Sequence, residues 1–335
     1  MNLQPHSVLV IGCGSIGERH LRCFQATTRA NVTACESNPA LLSTMAKRYG
    51  VPTAPDWEAA LACGGHTVAI ICTPAPLHVP MSRRALELGV HVLVEKPLSH
   101  SLAGIDELVA LGRSAPGHAA VAYVLHVNPA LSAAREFIRD GGIGRVRQAS
   151  FVSGQPFHKL RPGYDRSYYR DHKMGGGAIQ DALTHSANWT ESVLGPTDSL
   201  LCDAAHLAVP NVEVEDTVHI AARNGEVLVS YALNQFQVPN ESVMQFNSER
   251  GSVRIEPGRH RWGVLLEGLP EWNWTDLEPG DRDMLFIAQA NAFLDQVEGK
   301  PRRLCTIEAA AHTVRFNLAA LASAQSGRRV SCCDV

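Results

Sequence analysis

Along the first 125 residues, short apolar, β-branched runs alternate with longer stretches whose apolar positions recur at helical spacing. The runs are SVLVIG (7–12), VTACE (32–36), TVAIICT (67–73), HVLVEK (91–96) and AAVAYV (119–124), and the helical patterns fall near 15–27, 39–49, 56–63, 77–88 and 101–113. The apolar runs lack polar alternation, as expected of strands covered on both faces. Strand-helix alternation of this kind predicts an α/β domain over 1–125 built on a doubly wound parallel sheet.

Beyond 125 the pattern changes. A helix is predicted over 129–144, a strand over 145–155 and a helix over 178–194. Strand-like runs then follow near 198–209, 214–223, 226–237, 242–247 and 252–256, joined by turn signals such as RNGE (223–226). Successive strands without intervening helices predict a mainly antiparallel sheet, so 126–335 reads as a second, α+β domain closed by helices near 282–299 and 306–322.

A chain of 335 residues exceeds the size at which single cores stop growing, in keeping with two domains. Thirty basic against thirty-three acidic residues give a net charge of -3 without a basic block, so neither nucleic acid nor an anionic membrane is expected as a partner. No apolar run is long enough to span a bilayer, and MNLQPHSVLVIGCG lacks the basic start of a secretory leader. Nine cysteines lie scattered without the paired spacing of a zinc site, so no metal is expected and free thiols in a reducing cytoplasm are. Cys332 and Cys333 read as a frayed tail.

Candidate chemistry begins at GCGSIG, between the first strand and the first helix. Gly12 permits a tight turn, Gly14 lets backbone approach a pyrophosphate, and Gly17 lets the helix pack close to the strand, with Ser15 and Ile16 completing the turn. Phosphate on the helix N-terminus meets free N–H groups and the positive end of the macrodipole. Glu36 closes the second strand, where a carboxylate accepts hydrogen bonds from ribose hydroxyls and repels a 2′-phosphate, predicting NAD in preference to NADP.

GCGSIGERH, ICTPAPLH (71–78), VEKPLS (94–99) and GGGAIQDALTH (175–185) occur in an order that resembles the glucose-fructose oxidoreductase, inositol dehydrogenase and rhizopine catabolism family, Gfo/Idh/MocA. The resemblance implies a Rossmann domain followed by a domain on a large open antiparallel sheet. It also implies that subunits pair through that sheet, giving a homodimer or homotetramer. Lys96, Asp181 and His185 would face the nicotinamide. Thr73, Pro74 and Leu77 would line the cofactor groove, with Glu95, Lys96 and His78 beside it; His78 reads equally as a structural helix start. Gly175, Gly176 and Gly177 would let the helix start lie close to nicotinamide and substrate.

Chemistry gives the trio roles of its own. Oxidising a secondary alcohol by hydride loss requires removal of the hydroxyl proton, which suits an imidazole, so His185 is the expected general base. Lys96, at the carboxyl end of a parallel strand, can donate to the alcohol oxygen and stabilise developing charge. Asp181, one helical turn before His185, can orient the substrate or the imidazole. Alone, His185 reads as a structural histidine and Lys96 as a solvated strand end. Two departures stand out from the family pattern: Asn188 where many members carry aspartate, and His126, a candidate substrate contact, where many show arginine.

The segment PFHKLRPGYDRSYYRDHKMGGG (156–177) interleaves aromatic and basic residues. Aromatic faces stack on sugar rings and basic groups bind anions, so Tyr164, Tyr168, Arg170 and Lys173 join Lys96, His126, Asp181 and His185 as substrate-binding candidates. The leading expectation is an NAD-dependent dehydrogenase acting on a sugar, sugar derivative or cyclitol. Two alternatives are an NAD-retaining glycosidase or epimerase and a non-enzymatic dinucleotide sensor.

Overall fold

The computed structural model describes residues 4–335, Arg282 through its backbone alone. The described residues divide into two compact units, one of residues 4–127 and 280–311, the other of 128–279 and 312–335. Among the described residues, no helix is long and apolar enough to cross a membrane.

In the first unit, strands β1 (His6–Ile11), β2 (Ala30–Cys35), β3 (Thr53–Ala54), β4 (Val68–Ile71), β5 (His91–Val94) and β6 (Ala119–Val121) alternate with helices α1 (Ser15–Ala26), α2 (Pro39–Tyr49), α3 (Trp57–Ala62), α4 (His78–Glu87) and α5 (Ile105–Ser114). The strands form a wholly parallel sheet in the order β3-β2-β1-β4-β5-β6. That is the Rossmann order, with its reversal between β1 and β4, where such sheets bind ligands at the strand carboxyl ends. The uninterrupted apolar runs have the expected cause: Val8, Val10, Val68, Ile70 and Leu93 are buried in one core with Leu21 and Phe24 of α1.

The second unit begins with α6 (Pro129–Arg139), β7 (Gln148–Gly154) and a short helix, α7 (Phe157–Leu160). Then come α8 (Thr184–Leu194), β8 (Ser199–Ala205), β9 (Thr217–Asn224), β10 (Val227–Asn234), β11 (Glu241–Asn247), β12 (Gly251–Glu256), β13 (Arg261–Leu266) and β14 (Asn273–Asp276). The chain closes with α9 (Arg282–Val297), α10 (Ile307–Ser326) and β15 (Val330–Ser331). The sheet order is β14-β13-β12-β11-β7-β10-β9-β8-β15, antiparallel except where β7 and β10 run parallel. Strand alternation buries one face: Val218, Ile220 and Ala222 of β9 point inward and His219, Ala221 and Arg223 outward. The buried face packs aromatics against helices, Phe246 on Trp189 of α8 and Tyr231 on Phe316 of α10.

Three features depart from the sequence expectation. Residues 280–311, placed with the second domain by their position in the chain, pack in the first unit. There Ala290, Phe293 and Leu294 of α9 join the Rossmann core. Arg29 pairs with Asp295 and Glu298 at 2.9 and 2.7 Å, and the Val121 N–H donates to the Cys305 carbonyl at 2.9 Å. Second, β13 and β14 extend the sheet where no strand was expected; Trp274 of β14 lies under the Arg261 guanidinium, 4.0 Å from its ring centroid. Third, the tail is not frayed: β15 pairs with β8, the Cys332 N–H donates to the Asp198 carbonyl at 2.8 Å, and Cys332 is buried.

Candidate active site

In the first unit the glycine fingerprint joins β1 to α1 at the point of strand reversal. Gly12 has φ +86°, and a Cβ there would lie 3.0 Å from backbone atoms of Cys72 and Thr73, so only glycine fits. A Cβ on Gly17 would collide with the Gly12 carbonyl. Gly14 is different: an added Cβ would meet no protein atom within 4 Å. Nothing in the chain itself demands glycine at 14, whereas a pyrophosphate approaching the α1 N-terminus does. The residues present therefore fit a dinucleotide. Ser15 is exposed beside Gly14, while Ile16 turns toward the core instead.

Glu36 is held facing this loop. Its carboxylate accepts from the Cys13 N–H at 2.9 Å and from the Asn38 N–H at 3.0 Å. Thr73 is half-buried, and Pro74 and Leu77 are exposed on the turn after β4. His78 is buried, its ring nitrogens 2.8 and 2.7 Å from the carbonyl oxygens of Pro97 and Thr73, and burial pushes its pKa down. It ties the turn after β4 to the turn after β5, which is the structural one of its two expected roles. Glu95 is buried as well. Burial alone would raise its pKa, but the His20 ring nitrogen 2.7 Å away and the Lys96 N–H, donating at 3.0 Å, hold it low. Glu95 thus fixes the backbone from which the Lys96 side chain leaves the sheet.

In the second unit the acid and the histidine share one helical stretch, but its start is a π-helical turn, Ile179–Leu183, leading into α8. Single π turns recur at functional sites because the extra residue re-aims side chains. Asp181 is buried and His185 half-buried. The Tyr168 hydroxyl donates to Asp181 Oδ1 at 2.7 Å.

The chain's own packing explains two of the three glycines before this turn, Gly176 and Gly177. Gly175 and Gly177 have φ +84° and +86°. A Cβ on Gly176 would collide with the Tyr168 and Tyr169 carbonyl oxygens, and one on Gly177 would stand 2.6 Å from Glu215 Oε1.

Glu215 itself was invisible in the sequence reading. It accepts from the Ile179 N–H at 2.8 Å, capping the π turn, and meets the His172 ring nitrogen at 2.5 Å. That hydrogen bond raises the His172 pKa against the opposing effect of burial. The only local trace was an acidic pair, Glu215-Asp216, inside an otherwise strand-like run.

Other expected substrate contacts separate by burial. Tyr164 is packed against Phe157 and Tyr169, its hydroxyl donating to the Pro210 carbonyl at 2.6 Å, so it is a structural post. His126 is buried on a 3-10 turn of the first unit. Arg170 and Lys173 are exposed. Asn188 donates to the Thr313 hydroxyl at 2.9 Å, which donates to Glu191 at 2.6 Å, and burial pushes the Glu191 pKa up to about 7. An aspartate at 188 would set a second carboxyl one turn from that buried acid, a physical reason for the amide.

The geometry can be set beside known proteins. Residues 6–123 match "Oxidoreductase family, NAD-binding Rossmann fold" and residues 131–254 match "GFO/IDH/MocA C-terminal domain". The dTDP-3,4-didehydro-2,6-dideoxy-alpha-D-glucose 3-reductase of Streptomyces violaceoruber is 30% identical over 188 residues, 56% of this chain and 54% of that one. The protein of the same name from Streptomyces antibioticus is 29% identical over 305 residues, 88% and 89% of the two chains. This chain spans about half the length of several of the curated relatives it matches. A solved levoglucosan dehydrogenase in complex with NADH and levoglucosan superposes with a TM-score of 0.87 at 19% identity, over 98% of this chain and 100% of the other, which shows a shared fold. With both of its domains matched in order along the sequence, and with an NAD-binding Rossmann unit followed by an open mixed sheet, the chain belongs to the Gfo/Idh/MocA oxidoreductase family.

Proposed function

We propose that the chain is an NAD-dependent dehydrogenase that oxidises a secondary alcohol of a sugar, sugar derivative or cyclitol. The observation that carries this reading is a buried acid and a half-buried histidine on one helical stretch, Asp181 and His185, the acid already held by a hydrogen bond from Tyr168. Relatives named as reductases or dehydrogenases of sugars and inositol support the substrate class.

Gly14, Ser15 and the α1 N-terminus would hold the pyrophosphate, Glu36 the adenosine ribose, and Thr73, Pro74 and Leu77 the groove wall. NAD, when bound, supplies the acceptor for the hydride. The chain's own residues do the proton chemistry. His185 takes the hydroxyl proton, Lys96 donates to the oxygen on which charge develops, and Asp181 orients the substrate or the imidazole. Oxidation should therefore rise with pH as His185 loses its proton, because only neutral imidazole accepts one. His185→Ala should leave NADH affinity nearly unchanged while turnover falls by roughly two to four orders of magnitude, the scale of a lost general base. A panel of sugars and polyols followed by NADH absorbance checks this, and near-normal turnover in the variant would refute the role.

Glu36 supports NAD over NADP. Its carboxylate stands at the carboxyl end of β2, where it would accept from the ribose hydroxyls and repel a 2′-phosphate, and Arg29, the nearest upstream cation in sequence, is engaged with Asp295 and Glu298. Glu36→Ala should narrow the preference by about tenfold, the scale of one lost charge interaction. Calorimetry with both cofactors decides, and tighter NADP binding by the unmodified protein would overturn the assignment.

Assembly is proposed to be a dimer or tetramer formed through the outer sheet face. Leu201, Ala221, Ser230 and Ser150 form one row across β8, β9, β10 and β7, and Ala232 and Val152 share the next with Asp203 and His219, a face of small and apolar residues with few charges turned away from the helices. Light scattering giving a monomer mass at micromolar concentration would exclude this. Nine free cysteines favour a reducing cytoplasm as its location, testable by cell fractionation.

A further inference from the structure

In the first unit, His20 is a buried histidine that the proposed chemistry leaves unused. It lies on the second turn of α1, 1% exposed, its ring 6.4 Å from that of Phe24 and in a T-shaped contact with Phe286 of α9 at 5.5 Å. Its Nε2 stands 2.7 Å from Glu95 Oε1, and its Nδ1 meets no hydrogen-bond partner among the described residues. Burial raises the Glu95 pKa, but the hydrogen bond from His20 and the Lys96 charge bring it below the usual value, so the carboxylate is ionised. An ionised carboxylate only accepts, which places the proton of this bond on His20 Nε2. The other oxygen, Oε2, accepts from the Lys96 N–H at 3.0 Å. On the far side of Lys96, the Pro97 carbonyl is 2.8 Å from His78 Nδ1. Two buried histidines thus bracket Lys96, His78 directly at the main chain and His20 through a carboxylate.

Packing alone does not call for this pair. A buried carboxylate and imidazole give up hydration that an apolar side chain never had, and replacing such pairs by apolar residues of similar volume is often neutral or stabilising. Beyond each other, what the two hold among the described residues is the Lys96 N–H. We infer that His20 is a positioning residue for Lys96: acting through Glu95, it fixes the main chain from which the amine departs. Without the His20 proton, Glu95 is a buried carboxylate short of a partner. It then takes up a proton or turns toward water, and either change weakens its grip on the Lys96 N–H. A displacement of about 1 Å at a group that donates to the reacting oxygen costs about a hundredfold in rate. This inference rests on the dehydrogenase reading, since it takes Lys96 as that donor.

The test uses the full chain with NAD and whichever of D-xylose, levoglucosan and myo-inositol it oxidises. It compares His20→Phe, which keeps an aromatic ring without the donor, with His20→Gln, whose amide N–H reaches about as far as Nε2. His20→Phe should lower kcat by roughly tenfold to a hundredfold, with KM, NADH affinity and urea midpoint unchanged, and His20→Gln should restore most of the loss. A merely structural role would instead move NADH affinity and the urea midpoint, because His20 lies on the helix whose start would hold the pyrophosphate. Parent-like turnover in His20→Phe overturns the inference, as does equal impairment of the two variants or a fall in NADH affinity and stability alongside kcat. Should His20→Phe not fold, His20→Asn, whose amide is too short to reach Glu95, takes its place. Amide hydrogen exchange needs no substrate. In His20→Phe the Lys96 N–H should exchange roughly tenfold faster than in the parent, while the Glu95 N–H, donating to the Ile71 carbonyl at 2.9 Å, should not change. Unchanged protection of Lys96 overturns the inference even where no polyol is oxidised. Normal turnover in Lys96→Ala makes the dehydrogenase role of Lys96 fail separately, and exchange then decides whether His20 holds it.

Discussion

At Gly14 an added Cβ would meet nothing within 4 Å, whereas at Gly177 it would stand 2.6 Å from Glu215 Oε1 and at Gly176 it would run into two backbone carbonyls. Both clusters precede a helix start, and both look alike as strings of glycine. They differ in what occupies the space that a side chain would fill. At 176 and 177 the chain fills it, so packing accounts for these two glycines. At 14 the chain leaves it open, which points to a molecule that comes and goes. Open space alone is not the mark, since Gly258 is equally unfilled; at 14 it counts because it lies at the α1 N-terminus, after the first strand.

The sharpest way to break this contrast is a pair of alanine substitutions. Gly176→Ala should destabilise the protein by roughly 2–4 kcal/mol, because a backbone crossing has to open, and urea unfolding would show it. Gly14→Ala should leave the unfolding midpoint within about 0.5 kcal/mol of the parent and weaken NADH binding roughly tenfold, equivalent to about 1.4 kcal/mol. Equal stability losses in the two variants would abolish the distinction.

A smaller effect concerns pH and the crowded cluster alone. The His172 pKa is raised in the folded protein by its hydrogen bond to Glu215. A raised histidine pKa adds stability that is fully present below the unfolded value, about 6.5, and is lost as pH rises through the folded one. Denaturation of the parent minus that of His172→Ala should therefore show a stability difference at pH 6 that shrinks as pH rises above 6.5. Since the His172 side chain is 43% exposed, solvent screening keeps the difference small. A difference constant from pH 5 to 9 would remove His172 from the clamp on the π turn.

Much of the first unit was legible because its signals are local. The unbroken apolar runs and GCGSIG depend on neighbours within about twenty residues, and the parallel order follows from covering both faces of each strand. The second unit was harder. Asp181 and His185 stood out by their spacing, but a helical pattern does not reveal that one turn is π, because the extra residue is held by Glu215, more than thirty positions away. Tyr164 and Tyr168 were indistinguishable as aromatic loop residues until one proved to be packed on Phe157 and the other bonded to Asp181.

The sequence by itself determined the two kinds of sheet and the dinucleotide fingerprint, and singled out Glu36, Lys96, Asp181 and His185 as candidates, because periodicity, turn chemistry and motif order are properties of contiguous chain. Only the tertiary structure decided that α9 completes the first unit's core, that the tail closes the sheet as an edge strand, and that Gly176 answers to the backbone of Tyr168 and Tyr169 and Gly177 to the Glu215 carboxylate. It also decided that Tyr168 serves Asp181. Each of these depends on which distant residues meet in space, and packing and hydrogen bonding between remote segments leave no periodic trace in the string that encodes them.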